Sequence, residues 1–587
     1  MKNIFVIAIF LSFFALDAAA QNLDPIVEVS RQYEGKLIEV QKPSIKMAVP
    51  DSVTRFALDF DYSVFENPYK GSYEFNPYLL SMKPSASDHG ENAFYLKVGA
   101  GYQLHPTLDL VWSPKFRNRH FNMDVYVLHR SFFGNYLTIE RNDVDFDTAV
   151  FEKVEKNEEG THKWSGYDMM TKAGVECRND WEKMVLEFGA GYYGLMQKDR
   201  TWNRAYNAVD ADFGLSSKPE NVGSMIFDLD VDYRHGQDVA SGSRLVENLG
   251  GFDLSVGPFS VKKHRISLGI GADVAAYQGA FDVLAGEAHL VPHYVYRTER
   301  LDVNLGVKVS KILSNSGGTE YYHVNEGYKE QYVYPDVKLS YMILPESMKA
   351  YLNVGGGNHL DTYSSLIGSN HHVTHLTDGD ILDFSVERVN LTLGFEGKIT
   401  DKWSYNIRGG YVNYAHMRNY AVDVSTAPML SVAYLTCERW FAALDWALDV
   451  EHFRFDGTLK CNRFFNSKGV FEKGYTNKAV FHPADLTGDV AMEYVWKSRI
   501  TGGVDCEFSS SRKAGFDVPY ADGRDEIVPR TAVIPGYADL GLYAEYVTAR
   551  NLSFWLRAGN LLNMTIQRVP LYAEKGVYFT LGICMNL

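Results

Sequence analysis

Residues 301–310 read Leu-Asp-Val-Asn-Leu-Gly-Val-Lys-Val-Ser, and apolar and polar side chains alternate through the whole stretch. The same period of two runs through residues 184–193 and 225–234. This period is typical of a β-strand with one apolar and one polar face, because successive side chains point to opposite sides. Such runs are long for a soluble β-sandwich, whose strands usually have about five or six residues. They favour strands that cross a membrane.

Twenty-two runs of this kind can be marked between residue 93 and the end of the chain. The connections between them alternate in kind: one set is tight, and the other includes long loops such as residues 136–160, 363–383 and 456–478. Among the tight turns we place Glu438-Arg439, between runs at 427–438 and 440–456. Short turns at one end and long loops at the other are typical of an outer-membrane barrel with an even strand number. The sequence therefore predicts an all-β, antiparallel transmembrane barrel of 22 strands over residues 93–587.

Composition excludes several other classes of protein. The chain has 587 residues and a net charge of −15, with no basic block, so nothing suggests nucleic-acid binding. Its five cysteines are scattered and form no CxxC motif, which argues against both a disulfide framework and a zinc cage. By the alternation of faces, we expect Cys177 and Cys506 to face lipid and Cys584 to face the lumen.

The N-terminus has the order of a secretory signal peptide. Lys2 is followed by an apolar run from Ile4 to Leu16 and by three alanines before Gln21, so we expect cleavage before Gln21 and removal of residues 1–20. No later segment has the 18 or so apolar residues of a membrane-spanning helix. The mature chain is therefore either soluble outside the cytoplasm or embedded in the membrane as strands. The strand pattern favours the outer membrane of a Gram-negative envelope, with its lipid as a partner.

The C-terminal region supports this interpretation. Residues 557–563 read Arg-Ala-Gly-Asn-Leu-Leu-Asn and are followed by Pro570, Tyr572, Gly576 and a terminal strand with alternating apolar residues. This region resembles the C-terminal end of TonB-dependent receptor barrels, and the resemblance extends at pattern level over residues 93–587. Barrels of that family also have 22 strands, which agrees with the count made from periodicity. The resemblance implies a part in transport across the outer membrane.

The sequence departs from that family at its N-terminal end. Receptors of the family carry a plug domain of well over a hundred residues, whereas only residues 21–92 precede the first predicted barrel strand. Prolines punctuate this segment, so we expect an extended strap in the periplasm or inside the barrel. An alternative remains open: residues 56–64 also alternate, and with a partner strand at 71–81 the barrel would have 24 strands.

Two short segments are candidate binding sites. Residues 24–29, Asp-Pro-Ile-Val-Glu-Val, resemble the box by which such receptors pair with TonB through strand addition. The pairing residues would be Asp24, Ile26, Val27 and Val29, although the proline between the first two lacks a backbone donor.

The second candidate is a histidine-rich loop. His371, His372 and His375 lie within five residues and could bind zinc, copper or iron, the alternative being an ordinary polar outer loop. We find neither HExxH nor GxSxG, and no nucleophile with an adjacent base. We therefore expect no enzyme activity and assign no cofactor.

Two functions remain open at this stage. A 22-strand barrel has a wide lumen, and something must fill it to preserve the sieving of the outer membrane: the strap, inward-folded loops or a separate chain. In the first hypothesis the protein is a transporter related to TonB-dependent receptors, gated by the strap or by a partner. In the second it transports nothing and is the membrane-embedded scaffold of an assembly, secretion or surface-attachment complex, with a periplasmic or surface partner protein.

Overall fold

The computed structural model describes residues 93–587 apart from residues 103, 117–119, 146, 156–161, 201, 219–225, 241, 262, 281, 315–330, 346, 375, 377–381, 424–429, 470–477, 498, 520–526 and 550. Several predictions therefore concern residues outside the described part. They are the cleavage before Gln21, the extended strap at 21–92 in place of a plug domain, and the TonB-pairing residues Asp24, Ile26, Val27 and Val29.

The described chain is almost entirely strand, with one short helix, α1, at Tyr363–Ser369. In chain order the strands are β1 Phe94–Tyr102, β2 Thr107–Trp112, β3 Phe121–Leu137, β4 Ile139–Asp143, β5 Thr148–Lys153, β6 Lys163–Asp180, β7 Met184–Lys198, β8 Asn203–Ser217, β9 Phe227–Ala240, β10 Ser243–Val261, β11 His264–Gly279, β12 Val283–Arg297, β13 Leu301–Ser314, β14 Gln331–Leu344, β15 Met348–Leu360, β16 Phe384–Thr400, β17 Trp403–Asp423, β18 Leu430–Val450, β19 Phe453–Gly469, β20 Lys478–Val480, β21 Leu486–Trp496, β22 Ile500–Ser509, β23 Arg512–Pro519, β24 Ile527–Ile534, β25 Tyr537–Ala549, β26 Leu552–Gly559 and β27 Tyr578–Asn586.

Twenty-two of these strands form one closed antiparallel barrel, in which each strand pairs with the next barrel strand along the chain. The last strand, β27, pairs with the first, β1, in a continuous register from Tyr95↔Asn586 to Tyr102↔Phe579. Closure leaves no sheet edge with unpaired backbone groups, which is the condition for crossing lipid with strands. The predicted 22-strand barrel is confirmed.

The two faces of the wall differ as the periodicity predicts. On β13, Leu305, Val307 and Val309 are 43%, 43% and 42% exposed, because they point away from the barrel. On the opposite face of the same strand, Lys308 Nζ lies 3.1 Å from Glu287 Oε1 on β12. The alternation also places Cys177 and Cys506 on the outward face and Cys584 on the lumen face, in agreement with the sequence.

The connections fall into two classes, again as predicted. Both chain ends of the barrel lie at one end, where the Phe94 amide donates to the Leu587 carbonyl at 2.8 Å. At this end the links are short, for example residues 181–183, 298–300 and 401–402. The long connections, including residues 361–383 and 560–577, lie at the other end. By the usual pattern of such barrels, the short turns are periplasmic and the long loops face outward.

One predicted turn is wrong. Glu438 and Arg439 lie inside the single strand β18, and the real turn is at Glu451-His452. The following strand, β19, occupies much of what the sequence interpretation assigned to an outer loop at 456–478. The two errors cancel in the strand count. A charged pair suggests a turn in a soluble sheet, but a barrel with a polar lumen accommodates charged side chains in mid-strand.

The remaining strands lie at the outer end. β4, β5, β24 and β23 form a separate four-stranded sheet, in which only the β5–β24 pairing is parallel. The three-residue strand β20 pairs with the outer end of β17. Within the described ranges, no helix combines the length and the apolar character needed to cross a membrane.

Candidate functional site

The connection after β15 folds into the lumen instead of extending outward. A bulge between Gly355 and Gly357 precedes it. A Cβ on Gly356 would lie 2.9 Å from both the Glu387 carbonyl oxygen and the Tyr334 ring, so only glycine fits this close approach. The glycine run of residues 355–357 therefore marks the point where the wall bends. We call the described residues that follow, 361–374, the inward segment.

The inward segment carries α1 and buries it. Thr362 caps the helix, its side chain accepting from the Ser365 amide in a capping box. Tyr363, Leu366 and Ile367 on the helix are essentially inaccessible to solvent. They belong to one apolar cluster with residues of the barrel wall, of the outer four-stranded sheet and of the 560–577 connection. These described loops therefore pack against one another and against the wall at the outer end of the lumen.

A buried arginine fixes the segment to the wall on one side. Arg204 on β8 forms an ion pair with Asp238 on β9 (Nε to Oδ2, 3.1 Å), and both side chains are 0% exposed. Its two terminal nitrogens donate to the carbonyl oxygens of His371 (2.9 Å) and Val373 (2.6 Å) in the inward segment. The Tyr363 hydroxyl donates to the same Asp238 carboxylate. We call this group the Arg204 clamp.

A buried carboxylate reinforces the clamp. Glu247 on β10 accepts hydrogen bonds from the hydroxyls of Tyr206 (3.1 Å) and Tyr277 (3.0 Å) and from the Ser364 amide (3.2 Å). The first two donors belong to the wall and the third to the inward segment. A carboxylate removed from water is stabilised only where donors of this kind satisfy its oxygens. The segment and the wall therefore share one polar network.

A second buried ion pair holds the start of the segment against the opposite part of the wall. Arg418 on β17 donates to Asp361 (2.9 Å) and to the Ser365 hydroxyl (2.8 Å). The other oxygen of Asp361 accepts from Ser385 at 2.6 Å. Burial raises the pKa of Asp361, and the Arg418 guanidinium opposes that effect. The inward segment is thus tethered at both of its ends.

The predicted histidines lie at the far end of the segment. His371 Nε2 lies 2.7 Å from an Asp168 carboxylate oxygen on β6. His372 Nδ1 is 2.9 Å from Gln197 Nε2, and its ring stacks on Tyr572 with centroids 3.8 Å apart. Burial disfavours the charged imidazole of His371 and the Asp168 carboxylate favours it, and the balance raises its pKa. Burial and the adjacent His371 lower the pKa of His372.

His375 lies outside the described residues, so the three-histidine metal site stays a prediction. Within the described residues, no group of three or more His, Cys, Asp or Glu side chains has the geometry to hold a metal ion. Each of the other two histidines already faces a wall residue. To bind a metal ion together, His371 and His372 would have to exchange those contacts for the ion.

The connection between β26 and β27 closes the other side of this region. Its Asn-Leu-Leu-Asn turn has two asparagines with left-handed backbone, Asn560 (φ 47°) and Asn563 (φ 50°). Farther along, Arg568 lies 2.8 Å from Glu507 and 3.0 Å from Asp539, both on the wall. Burial lowers the pKa of Lys575 to about 8. The connection that begins with this turn is therefore a second inward-packed loop, and Arg568 anchors it to the wall.

A cavity of about 30 Å3 separates these two loops, and its lining includes Asp168, His371, His372, Glu574 and Lys575. A cavity of that volume holds about two water molecules. No solute of transport size fits there while the loops keep this arrangement. At this point the two described loops therefore leave only a water-sized space between them.

The wall nearer the periplasm has a different character. Asp228, Asp230 and Asp232 alternate along β9 on the lumen face and are exposed. Asp212 on β8 pairs directly opposite Asp232, and Asp253 on β10 opposite Asp230. These aspartates therefore form a row on the lumen face of the wall. It forms a polar and acidic lining.

Neither a protein-family model nor a curated protein sequence matches this chain. Solved structures do match its fold. The FrpB iron transporter from Neisseria meningitidis (F3-3 variant) aligns with a TM-score of 0.59 at 9% identity, over 85% of this chain and 82% of that one. The copper transporter OprC aligns with a TM-score of 0.58 at 11% identity (85% and 83%). The pyoverdine outer membrane receptor FpvA from Pseudomonas aeruginosa PAO1 aligns with a TM-score of 0.56 at 10% identity (85% and 79%).

These similarities establish only the fold, because sequence identities of about 10% are too low to support a conclusion about function. The chain has the barrel fold of outer-membrane transporters and receptors. The three structures described above are named as transporters or receptors.

Sequence reasoning missed the charged residues that hold the inward segment: Arg204, Asp238, Glu247, Asp361 and Arg418. Four of them lie on different strands, Asp361 directly follows β15, and each looks like an ordinary lumen-facing charge. One signal was available. The glycine run at 355–357 permits either curvature of the barrel wall or a loop that turns inward.

Proposed function

We propose that this protein is an outer-membrane transport barrel whose inward segment closes the lumen near its outer mouth. The observation that most directly supports this proposal is the Arg204 clamp, in which one fully buried guanidinium links the wall to two carbonyl groups of the inward segment. A segment held by a few localised ion pairs can exist in two states, tethered and released. The matched solved structures of transporters support a transport role at the level of fold.

The lining supports passage of a polar solute. The exposed aspartates of β9 and β10 provide hydrogen-bond acceptors and negative potential along the inner half of the wall. Cations and polyhydroxylated molecules are the solutes that such a surface attracts. Because the loops close the outer mouth, a solute must displace the inward segment before it reaches this lining.

Energy for that displacement would come from TonB, which we propose to pair with Asp24, Ile26, Val27 and Val29 by strand addition. Deleting residues 21–50 should abolish uptake while the barrel still assembles. Unchanged uptake in the deletion strain would contradict TonB coupling through this segment. A matched control is Gln41→Asn, which lies within residues 21–50 but outside the pairing residues and should leave uptake unchanged.

The closed mouth also favours the second function, a non-transporting scaffold in an outer-membrane complex. A barrel sealed by buried ion pairs needs no substrate. In that case the same deletion should leave growth unchanged on every substrate and should remove a co-purifying protein. The two outcomes separate the hypotheses, because a transporter loses uptake and a scaffold loses its partner.

Planar-bilayer conductance tests the proposed closure directly. We expect the wild-type barrel to be silent and a variant with residues 362–374 replaced by a Gly-Ser linker to form a large, steady pore. The control is Arg463→Ala, which removes an exposed ion pair with Asp485 (3.4 Å) that makes no contact in the Arg204 clamp. A large steady current through the wild-type protein would refute closure by the inward segment.

The histidine metal site is proposed separately. Zinc, copper and ferrous iron titrations of the purified protein should show binding that is lost in His375→Ala. His416, which lies near Asp383 outside the predicted set, provides a matched histidine control. Equal binding by wild type and His375→Ala would contradict the three-histidine site.

A further inference from the structure

The barrel wall is lowest at its seam. The four shortest strands of the described barrel are β26, β27, β1 and β2, with 8, 9, 9 and 6 residues, whereas the flanking strands β3 and β25 have 17 and 13. A strand of nine residues rises about 23 Å along the membrane normal at the usual tilt. Because the lipid-facing belt of such barrels is about 25 Å tall, these four strands end close to the membrane surface. We call them the low wall.

Two hairpins from opposite flanks of the low wall form the outer four-stranded sheet. The β4–β5 hairpin belongs to the connection between β3 and β6, and the β23–β24 hairpin belongs to the connection between β22 and β25. In the barrel, the low wall separates β25 from β3. Because the two hairpins pair with each other through β5 and β24, the sheet has to bridge the low wall. We call this sheet the arch.

The junction between the two hairpins is the shortest pairing in the arch. The β4–β5 hairpin has five antiparallel residue pairs and the β23–β24 hairpin has eight. The junction is parallel, and its three residue pairs are Thr148↔Thr531, Ala149↔Ala532 and Val150↔Val533. Parallel pairing is also slightly less stable per residue than antiparallel pairing. Each hairpin can therefore keep its own hydrogen bonds while the junction parts.

An arginine reinforces the junction. Arg530 on β24 lies 3.2 Å from an Asp143 carboxylate oxygen and donates to the Asp145 carbonyl at 2.9 Å, both at the tip of the β4–β5 hairpin. Arg141 in that hairpin also donates to Asp143, at 2.8 Å. The Asp143 side chain is 49% exposed, so its pair with Arg530 contributes only modestly to stability. The junction is thus held by a short ladder and by an ion pair that solvent can reach.

The inner face of the arch covers the loops below it. Phe151 and Ala532 on this face are fully buried and belong to the same apolar cluster as the inward segment. Gln567 in the 560–577 connection donates to the Phe151 carbonyl at 2.9 Å. The cavity of about 30 Å3 lies between that connection and the inward segment, and Ala573 is part of its lining. Parting the arch would therefore expose the connection and the cavity beside it.

We propose that the arch is an entry gate, which parts at the β5–β24 junction and admits a polar solute over the low wall. The two hairpins belong to separate connections, so each can move with its own flank while every barrel strand stays paired. The solute then meets the 560–577 connection and the inward segment. The gate rests on the proposed transport function. Bilayer conductance of the linker variant tests closure by the inward segment, whereas the experiments below test the arch, so either can fail alone.

A disulfide across the junction tests the gate. Thr148→Cys with Thr531→Cys places two thiols on directly paired residues, whose Cα atoms are about 5 Å apart and so suit a disulfide. The reporter is Ala573→Cys, a buried position in the cavity lining, in the Cys461→Ser background. Mass spectrometry of its peptide measures labelling by a membrane-impermeant maleimide. We expect the oxidised cross-link to slow this labelling at least about tenfold relative to the reporter protein alone.

The matched control is Glu140→Cys with Glu152→Cys. These two residues are also paired directly, but both lie within the β4–β5 hairpin, so their cross-link leaves the junction free to part. The reporter should then react at the rate of the reporter protein alone. An unchanged rate with the junction cross-linked would overturn the proposal. So would equal slowing by both cross-links, which would indicate general stiffening of the outer loops.

A second variant weakens the junction instead of locking it. Arg530→Ala removes the ion pair with Asp143 and the hydrogen bond to the Asp145 carbonyl, and it should speed labelling of the reporter about twofold to tenfold. Arg463→Ala, whose ion pair makes no contact with the arch, should leave the rate unchanged. Equal rates in Arg530→Ala and the reporter protein alone, including no detectable labelling of either, would contradict a gate at this junction.

Discussion

Substituting Arg204 should release the inward segment from the wall. The guanidinium pairs with Asp238 where both side chains are fully buried, and it also satisfies the carbonyls of His371 and Val373. Arg204→Ala leaves the Asp238 carboxylate uncompensated in the closed state. Breaking a buried pair in this way costs about 3–5 kcal/mol. At about 1.4 kcal/mol per factor of ten, the closed-to-open ratio should fall by about two to nearly four orders of magnitude.

The assay is labelling of a cysteine placed at Leu366, which is inaccessible in the closed state. The background carries Cys461→Ser, because Cys461 is the exposed native thiol and the other four are buried or half-buried. A membrane-impermeant maleimide then reacts at a rate proportional to the open population. We expect the Arg204→Ala variant to label about a hundredfold faster or more than its parent.

Two further variants sharpen the test. Arg463→Ala breaks a pair whose side chains are 76% and 61% exposed, so its labelling rate should stay within a factor of a few of the parent rate. Arg204→Met combined with Asp238→Leu removes both charges and should restore much of the protection, since an apolar pair of similar volume is often as stable as a buried ion pair. If Arg204→Ala labels at the parent rate in a barrel that still shows the heat-modifiable mobility of a folded one, the clamp does not hold the segment.

Two more predictions concern the histidine contact and the wall. The pKa of His371 is raised by folding, so its contact with Asp168 contributes its full stabilisation below about pH 6.5, and this stabilisation is lost as the pH rises through the raised pKa. The difference in melting temperature between wild type and His371→Gln should therefore shrink from pH 6 to pH 9. A difference that stays constant over this range would contradict the assignment. Val307→Arg places a cation against lipid and should lower the free energy of unfolding, measured with denaturant, by about 2–4 kcal/mol. Asn304→Arg on the lumen face should change the free energy of unfolding by less than about 1 kcal/mol. Equal effects of the two substitutions would argue against the assigned faces.

The strand pattern could be predicted from the sequence because each barrel strand contacts lipid on one face and a polar lumen on the other. On β13, lipid contacts Leu305, Val307 and Val309, and the polar lumen contacts Asp302, Asn304 and Lys308. The alternation of apolar and polar residues within one strand therefore shows which side chains face lipid and which face the lumen. Closure by β27 against β1 follows from the same demand, since lipid tolerates no unpaired edge. The error at Glu438-Arg439 arose where a local cue, a charged dipeptide, was taken for a turn inside a long strand.

The site was legible only in part. The Asn-Leu-Leu-Asn turn at residues 560–563 carried only the resemblance to receptor barrels, whereas His371 and His372 stood out as a cluster. Their actual partners, Asp168 on β6 and Tyr572 after β26, lie about two hundred residues away in each direction. No spacing rule connects positions that meet across the diameter of a barrel.

The sequence by itself determined the class of fold, the number of strands, the faces of the wall and the side of the longer loops, because these depend on alternation within a strand and on the length of each connection. Only the tertiary structure decided that the described inward segment packs inside the lumen. That packing depends on Arg204, Asp238, Glu247 and Arg418 converging on one inward segment from four strands. A buried charge is stable only beside its partner, and the partner is chosen by three-dimensional proximity.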